Sequence, residues 1–172
     1  MDYNKVVTVD EEDRVIGHLD KMEAHRKGVL HRAISALVFN SKGEWLLQQR
    51  AKHKYHSSLL WSNTTCTHPL IGESYLDAAN RRLNEEMGMF ASLEEVFDFT
   101  YKTKLDNDLF EHELDHVFIG YTDVSPNINP EEVESFRYIS TSDLANEIES
   151  HPERFTVWFK ILFNKIMMEK LI

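Results

Sequence analysis

The chain opens on two runs in which apolar and polar residues alternate, "YNKVVTVD" and "RVIGHL", with the acidic stretch Glu11 to Asp13 between them. Alternation with period two marks strands, so the pattern predicts two short strands around a turn. "DKMEAHRKG" reads instead as a short helix that Gly28 stops. Two longer apolar runs, "HRAISALVFN" and "EWLLQQR", flank Ser41-Lys42-Gly43 and predict a hairpin. Ala51 to Gly72 has no period and reads as irregular; within it "SNTTCTHP" has a loop-like context ended by Pro69. "ESYLDAANRRLNEEMGM" restores a helical period, with Leu76, Ala79, Leu83 and Met87 as an apolar stripe. Ser74 and Asp77 read as its capping box and Gly88 as its C-terminal stop. "VFDFTYKTKL", "EHELDHVFIGY" and "ESFRYI" predict three more strands, and "TSDLANEIES" a helix. "PERFTVWFKILFNKIMMEK" predicts a longer helix with Pro152 in its first turn. Helices on both sides of a central run of strands predict an α/β fold, a sheet sandwiched between helices.

Composition narrows the class. With 172 residues the chain suits one well-buried domain, residues 1–172. Hydrophobic residues at 42% and charged residues at 28% are ordinary globular values. The 19 Lys+Arg against 29 Asp+Glu give −10, which argues against a nucleic-acid or anionic-membrane surface while leaving room for a local basic pocket. The single cysteine has no intramolecular disulfide partner and fits a reducing compartment. The acidic start lacks the apolar core of a secretory signal, and no run reaches the roughly 18 apolar residues of a membrane helix. A soluble cytoplasmic single domain is expected.

Several clusters carry chemistry. Arg81, Arg82, Glu85 and Glu86 fall together on the helix after Glu73. On spacing alone they read as a solvated face with ion pairs Arg81–Glu85 and Arg82–Glu86. Glu111 and Glu113 are i,i+2 on a strand, so both carboxylates share one face, a costly pairing unless something positive lies between them. His25, His31 and His68 could supply it by holding a cation there; three imidazoles with two carboxylates suit Zn²⁺, Mn²⁺ or Fe²⁺. The alternative for the pair is exposed strand decoration. Cys66 is a buried hydrophobe, a ligand or a reagent. Tyr101 and Trp158 read equally as strand-face and helix-stripe core aromatics.

The frame from Thr67 to Met89, T-x5-E-x7-R-R-L-N-E-E-M-G-M, resembles the Nudix box G-x5-E-x7-R-E-U-x-E-E-x-G-U, where U is a bulky aliphatic residue. Helix carboxylates of that box hold a divalent cation, which holds a diphosphate. Thr67 replaces the leading glycine, and Arg82 replaces the glutamate that is a principal metal ligand in Nudix hydrolases. An arginine there would grip phosphate and repel a cation, which disfavours the alternative of a diphosphohydrolase.

Together with "DKMEAH", "LHRA", "LLQQR", "NTTCTHP", the E-x-E strand and "FTVWF", the whole chain resembles the type 1 isopentenyl-diphosphate isomerases. That resemblance implies an α/β/α Nudix sandwich with a central mixed sheet and extra N-terminal elements. It implies conversion of isopentenyl to dimethylallyl diphosphate by protonation and deprotonation through a tertiary carbocation. His25, His31, His68, Glu111 and Glu113 match the ligands of one transition metal, Mn²⁺ or Zn²⁺. Glu86 matches a ligand of Mg²⁺ held with the diphosphate. Cys66 and Glu113 match the groups flanking the substrate carbons, Tyr101 a tyrosine bonded to the catalytic glutamate, and Trp158 an aromatic facing the cation. Lys21, Arg50, Lys54 and Arg82 match the diphosphate contacts.

Overall fold

The computed structural model describes residues 3–54, 56–105 and 108–172. Strands β1 (Lys5–Val9) and β2 (Val15–Asp20) form the expected N-terminal hairpin. Helix α1 (Lys21–Lys27) follows at once, started by the Asp20 side chain and ended by Gly28 in the left-handed region. β3 (His31–Phe39) is the central strand. β8 (Phe110–Tyr121) runs parallel to it along its full length, and β7 (Glu94–Lys104) pairs antiparallel with β8. The other edge of β3 meets β1 at His31, β6 (Thr65–Thr67) at Ile34 to Ala36, and β4 (Trp45–Arg50) at Phe39. β4 pairs in turn with β5 (Trp61–Ser62) and β9 (Val133–Ile139). The nine strands of the described residues form one mixed sheet.

The hairpin expected of β3 and β4 is therefore closed only at its turn, where Phe39 pairs with Trp45. Beyond that pair the strands fork, and the stretch read as irregular fills the fork. Cys66 is not in a loop: β6 lies beside β3, with Ser35 opposite Cys66. Runs of two and three residues are too short for a period to show, which is why sequence reading missed β5 and β6.

Alternation on the strands sorts the core into two layers. Ile34, Ala36, Val38 and Phe118 pack beneath α2 (Tyr75–Met87) through Ala78, Ala79, Leu83 and Met87. Leu37, Leu47 and Val117 pack on the opposite side with α3 (Thr141–Ser150) and α4 (Val157–Glu169), through Leu144, Phe159 and Leu162. Leu76, expected in the apolar stripe, is instead exposed in the first turn of α2. The long C-terminal helix is also interrupted: Pro152–Arg154 form one 3₁₀ turn, Phe155 is extended, and α4 begins only after Thr156. Phe155 leaves the helix to bridge to Trp61 of β5, and Trp61 O accepts the Thr156 N–H at 2.9 Å. At the end of α2, Gly88 has φ 59°, and a Cβ there would lie 2.2 Å from Asn127 O. Only glycine satisfies both demands. No helix among the described residues is long and apolar enough to cross a membrane.

Candidate active site

The fork between β3 and β4 opens onto a pocket. It is lined by Lys21 and His25 of α1, Cys66 of β6, Arg82 and Glu86 of α2, and Trp158 of α4, with Arg50, Lys54, His56, His68, Tyr101, Glu111 and Glu113. The residues expected to act together do converge, and His31 lies buried beside His68.

Ligand atoms of His25, His31, His68 and Glu111 lie within 4.8 Å of one another. Glu113 adjoins this quartet, its Oε1 at 2.9 Å from His68 Nε2 and 3.7 Å from His31 Nε2. His25 and His31 each direct Nδ1 to a main-chain carbonyl, Phe110 O at 3.0 Å and Val29 O at 2.7 Å. That contact requires Nδ1–H as donor and turns both Nε2 atoms toward the centre, the orientation that metal-ligating histidines use. His25 Nε2 is buried without a hydrogen-bond partner among the described residues, and Glu111 Oε2 meets only His25 Nδ1, at 3.2 Å. Burial pushes His68 down to about 3, so its imidazole is neutral and able to ligate. Burial, with the neighbouring Glu113 carboxylate, pushes Glu111 up to about 7. Glu113 is the better supported anion of the two: burial opposes its charge, but the adjacent His31 and His68 imidazoles hold it well below the usual range, and the Tyr101 hydroxyl donates to it. An unpartnered buried His25 Nε2, a neutral His68 and crowded carboxylates fit a divalent transition metal.

Cys66 and Glu113 enter the pocket from opposite edges of β3, through β6 and β8. Burial, and next the Glu86 carboxylate, pushes the Cys66 thiol up to about 12, so it holds its proton at neutral pH. Tyr101 Oη donates to Glu113 Oε2 at 2.5 Å. Trp158 belongs both to the α4 core stripe and to the pocket wall. Its Nε1 donates to Ser62 Oγ at 3.0 Å and the Arg50 guanidinium sits 5.1 Å from its ring centre. Glu86 sits at the fork itself: Oε2 accepts from Gln48 Nε2 of β4 at 2.7 Å and from Thr65 Oγ1 of β6, while Arg82 Nη2 pairs with Oε1 at 2.8 Å. Both helical ion pairs expected on α2 form, with Arg81–Glu85 at 3.2 Å.

Sequence reading missed three residues here. His56 lines the pocket edge-on to Trp158, at 5.7 Å between rings, and burial with the Arg50 charge pushes it down to about 3. It lies in the aperiodic stretch, which gave no signal. Asp115 continues the Glu111, Glu113 alternation and accepts from Ser35 Oγ at 2.8 Å, so extending the i+2 pattern one step finds it. Glu132 pairs with Lys54 and Arg82 from a loop where an acidic pair reads as surface.

A Nudix domain model matches residues 29–159. The isopentenyl-diphosphate Delta-isomerase of Pectobacterium atrosepticum is 52% identical over 166 residues, covering 96% of this chain and 93% of that protein. The chain belongs to the isopentenyl-diphosphate Delta-isomerase family. A Serratia proteamaculans member is 48% identical over 90% of this chain and 86% of its own length. Aromatoleum aromaticum isomerase 2 is 43% identical over 95% and 87%. Among solved structures, the MutT protein of Methanosarcina mazei superposes with a TM-score of 0.67 over 82% of this chain and 95% of its own, at 19% identity. A MutT Nudix hydrolase of Burkholderia pseudomallei superposes at 0.63 over 80% and 98%, at 16% identity, which establishes the shared fold. The α/β Nudix sandwich expected from the sequence is thus present, with β1, β2 and α1 preceding the matched domain.

Proposed function

We propose that the protein, a single domain over residues 1–172, isomerises isopentenyl diphosphate to dimethylallyl diphosphate in the cytoplasm. One observation carries the assignment of roles: a protonated thiol and a hydrogen-bonded carboxylate reach one pocket from opposite edges of β3. Moving the double bond requires a proton to add to the terminal alkene carbon, leaving a tertiary carbocation. A proton then leaves the carbon on the diphosphate side. Cys66 and Glu113 supply this acid–base pair, each such group being worth ~10²–10⁴-fold. Tyr101 holds Glu113 in place. The Trp158 ring stabilises the carbocation by roughly 0.5–2 kcal/mol. Lys21, Arg50, Lys54 and Arg82 bind the diphosphate, a basic cluster set in an acidic chain.

His25, His31, His68, Glu111 and Glu113 would hold Mn²⁺ or Zn²⁺, which when bound orients Glu113 and tunes its basicity. Glu86 would meet Mg²⁺ arriving with the diphosphate. Hydrolysis is disfavoured because Arg82 replaces a metal-binding carboxylate and forms ion pairs with Glu85, Glu86 and Glu132.

Heavy water separates the two chemistries. Incubated with isopentenyl diphosphate in D₂O, the protein should yield dimethylallyl diphosphate carrying deuterium on carbon, with no phosphate released above the blank. Phosphate release without deuterium in the alkene would overturn the assignment, since metal-activated water attacks phosphorus and leaves C–H bonds alone.

A further inference from the structure

We propose that Glu132, which does not itself line the pocket, is a positioning residue that aims Lys54 and Arg82 at the substrate diphosphate; this rests on the reading of the basic pocket given above. Glu132 Oε2 accepts from Lys54 Nζ at 2.5 Å and also from Arg82 Nη2. Both cations line the pocket, so Glu132 stands behind them. Its main chain is fixed as well: its N–H donates to Asn129 O at 2.9 Å, and its carbonyl accepts the Ala51 N–H at 3.1 Å. The turn bearing Lys54 is thereby tied to the residue that orients it. The same loop closes the end of α2, with Asn127 N–H donating to Met87 O at 2.8 Å and Asn129 N–H to Glu86 O at 2.9 Å.

The charge arrangement explains the need. Lys54 and Arg82 come from different elements and would repel each other; one shared carboxylate oxygen holds both. On Arg82, Nη1 is spent on Glu85 at 3.2 Å and Nη2 on Glu86 and Glu132. Its Nε is buried with no hydrogen-bond partner among the described residues, as is Nε of Arg50. The carboxylates fix the Arg82 guanidinium in one orientation, with its charge at the pocket wall. Freezing both long side chains before the anion arrives removes an ordering cost from binding.

The test compares full-length, metal-loaded wild type with Glu132→Gln and Glu132→Asp. Calorimetric titration with magnesium pyrophosphate is run beside steady-state kinetics and thermal melting. Glu132→Gln should weaken pyrophosphate binding and raise KM about tenfold, with kcat changed less than about threefold. Glu132→Asp, which keeps the charge, should recover part of the affinity. Unchanged pyrophosphate affinity in folded Glu132→Gln would overturn the proposal, even with a lowered melting point. Tighter binding would overturn it too, since Glu132 would then compete with the anion. Wild type that binds no pyrophosphate would instead remove the diphosphate reading of the pocket and this proposal with it.

Discussion

Cys66 illustrates how one residue changes meaning with its surroundings. As a lone cysteine in an aperiodic stretch it was open to three readings: packing, ligation and chemistry. Its placement on β6 opposite Ser35, with a thiol that burial keeps protonated, favours a proton donor over a thiolate ligand. Cys66→Ala should then abolish turnover while leaving metal content and melting temperature nearly unchanged. Cys66→Ser should also be badly impaired, because a hydroxyl yields its proton far less readily than a thiol. A Cys66→Ala protein with near-normal rate would return the residue to packing. Trp158 shows the opposite case, a residue of the core stripe that also lines the pocket. Its place in the α4 stripe was legible from spacing, whereas Phe155 and Thr156, which delay the helix start, were not.

Among the elements, those with a sustained period were legible and the shortest were not. The two-strand entrance, α1, α2, α3 and the strand pair β7–β8 stand where alternation or helical spacing put them. β5, β6 and the break before α4 escaped because each is set by tertiary pairing: β6 by β3, and Phe155 by Trp61. The site followed the same division. Glu111 and Glu113 came from alternation; assembly with three distant histidines came from resemblance, since no local pattern encodes convergence. The entrance of α2 makes a prediction at this scale. Arg81 grips Glu73 through Nε at 2.7 Å and Nη2 at 2.9 Å, and Leu70 N–H donates to it at 2.8 Å. Burial opposes the Glu73 charge, yet these donors hold its pKa below the ordinary 4.5. A carboxylate depressed in the folded state adds stability that is complete above its unfolded value and fades as pH falls through the folded one. Glu73→Gln should therefore melt below wild type at pH 7, with the gap narrowing as pH drops beneath 4.5. A gap that stays constant down to strongly acidic pH would show that Glu73 acts by shape and not by charge.

For the molecule as a whole, the imidazole and carboxylate cluster is a joint. His25 comes from α1, His31 from β3, His68 from the turn after β6, and Glu111 and Glu113 from β8. Without a cation the cluster buries a carboxylate beside its like-charged neighbour and leaves His25 Nε2 without a hydrogen-bond partner among the described residues, both of which favour separation. A metal held there would outweigh the carboxylate repulsion, take up the unpartnered nitrogen and tie the N-terminal elements to the centre of the sheet. Ligand linkage sets the scale: at a free metal concentration 100 times its dissociation constant, the folded state gains about 2.7 kcal/mol. For a chain of this length that is roughly 5–10 °C in melting temperature. Chelator-treated protein should lose that increment and regain it with Mn²⁺ or Zn²⁺, whether or not substrate is present. His68→Ala should melt near the chelated wild type and respond little to either treatment, because it lacks a ligand but keeps the fold. If the wild-type midpoint ignores both chelator and added metal, while elemental analysis finds no bound ion, the cluster is a polar core and not a metal centre.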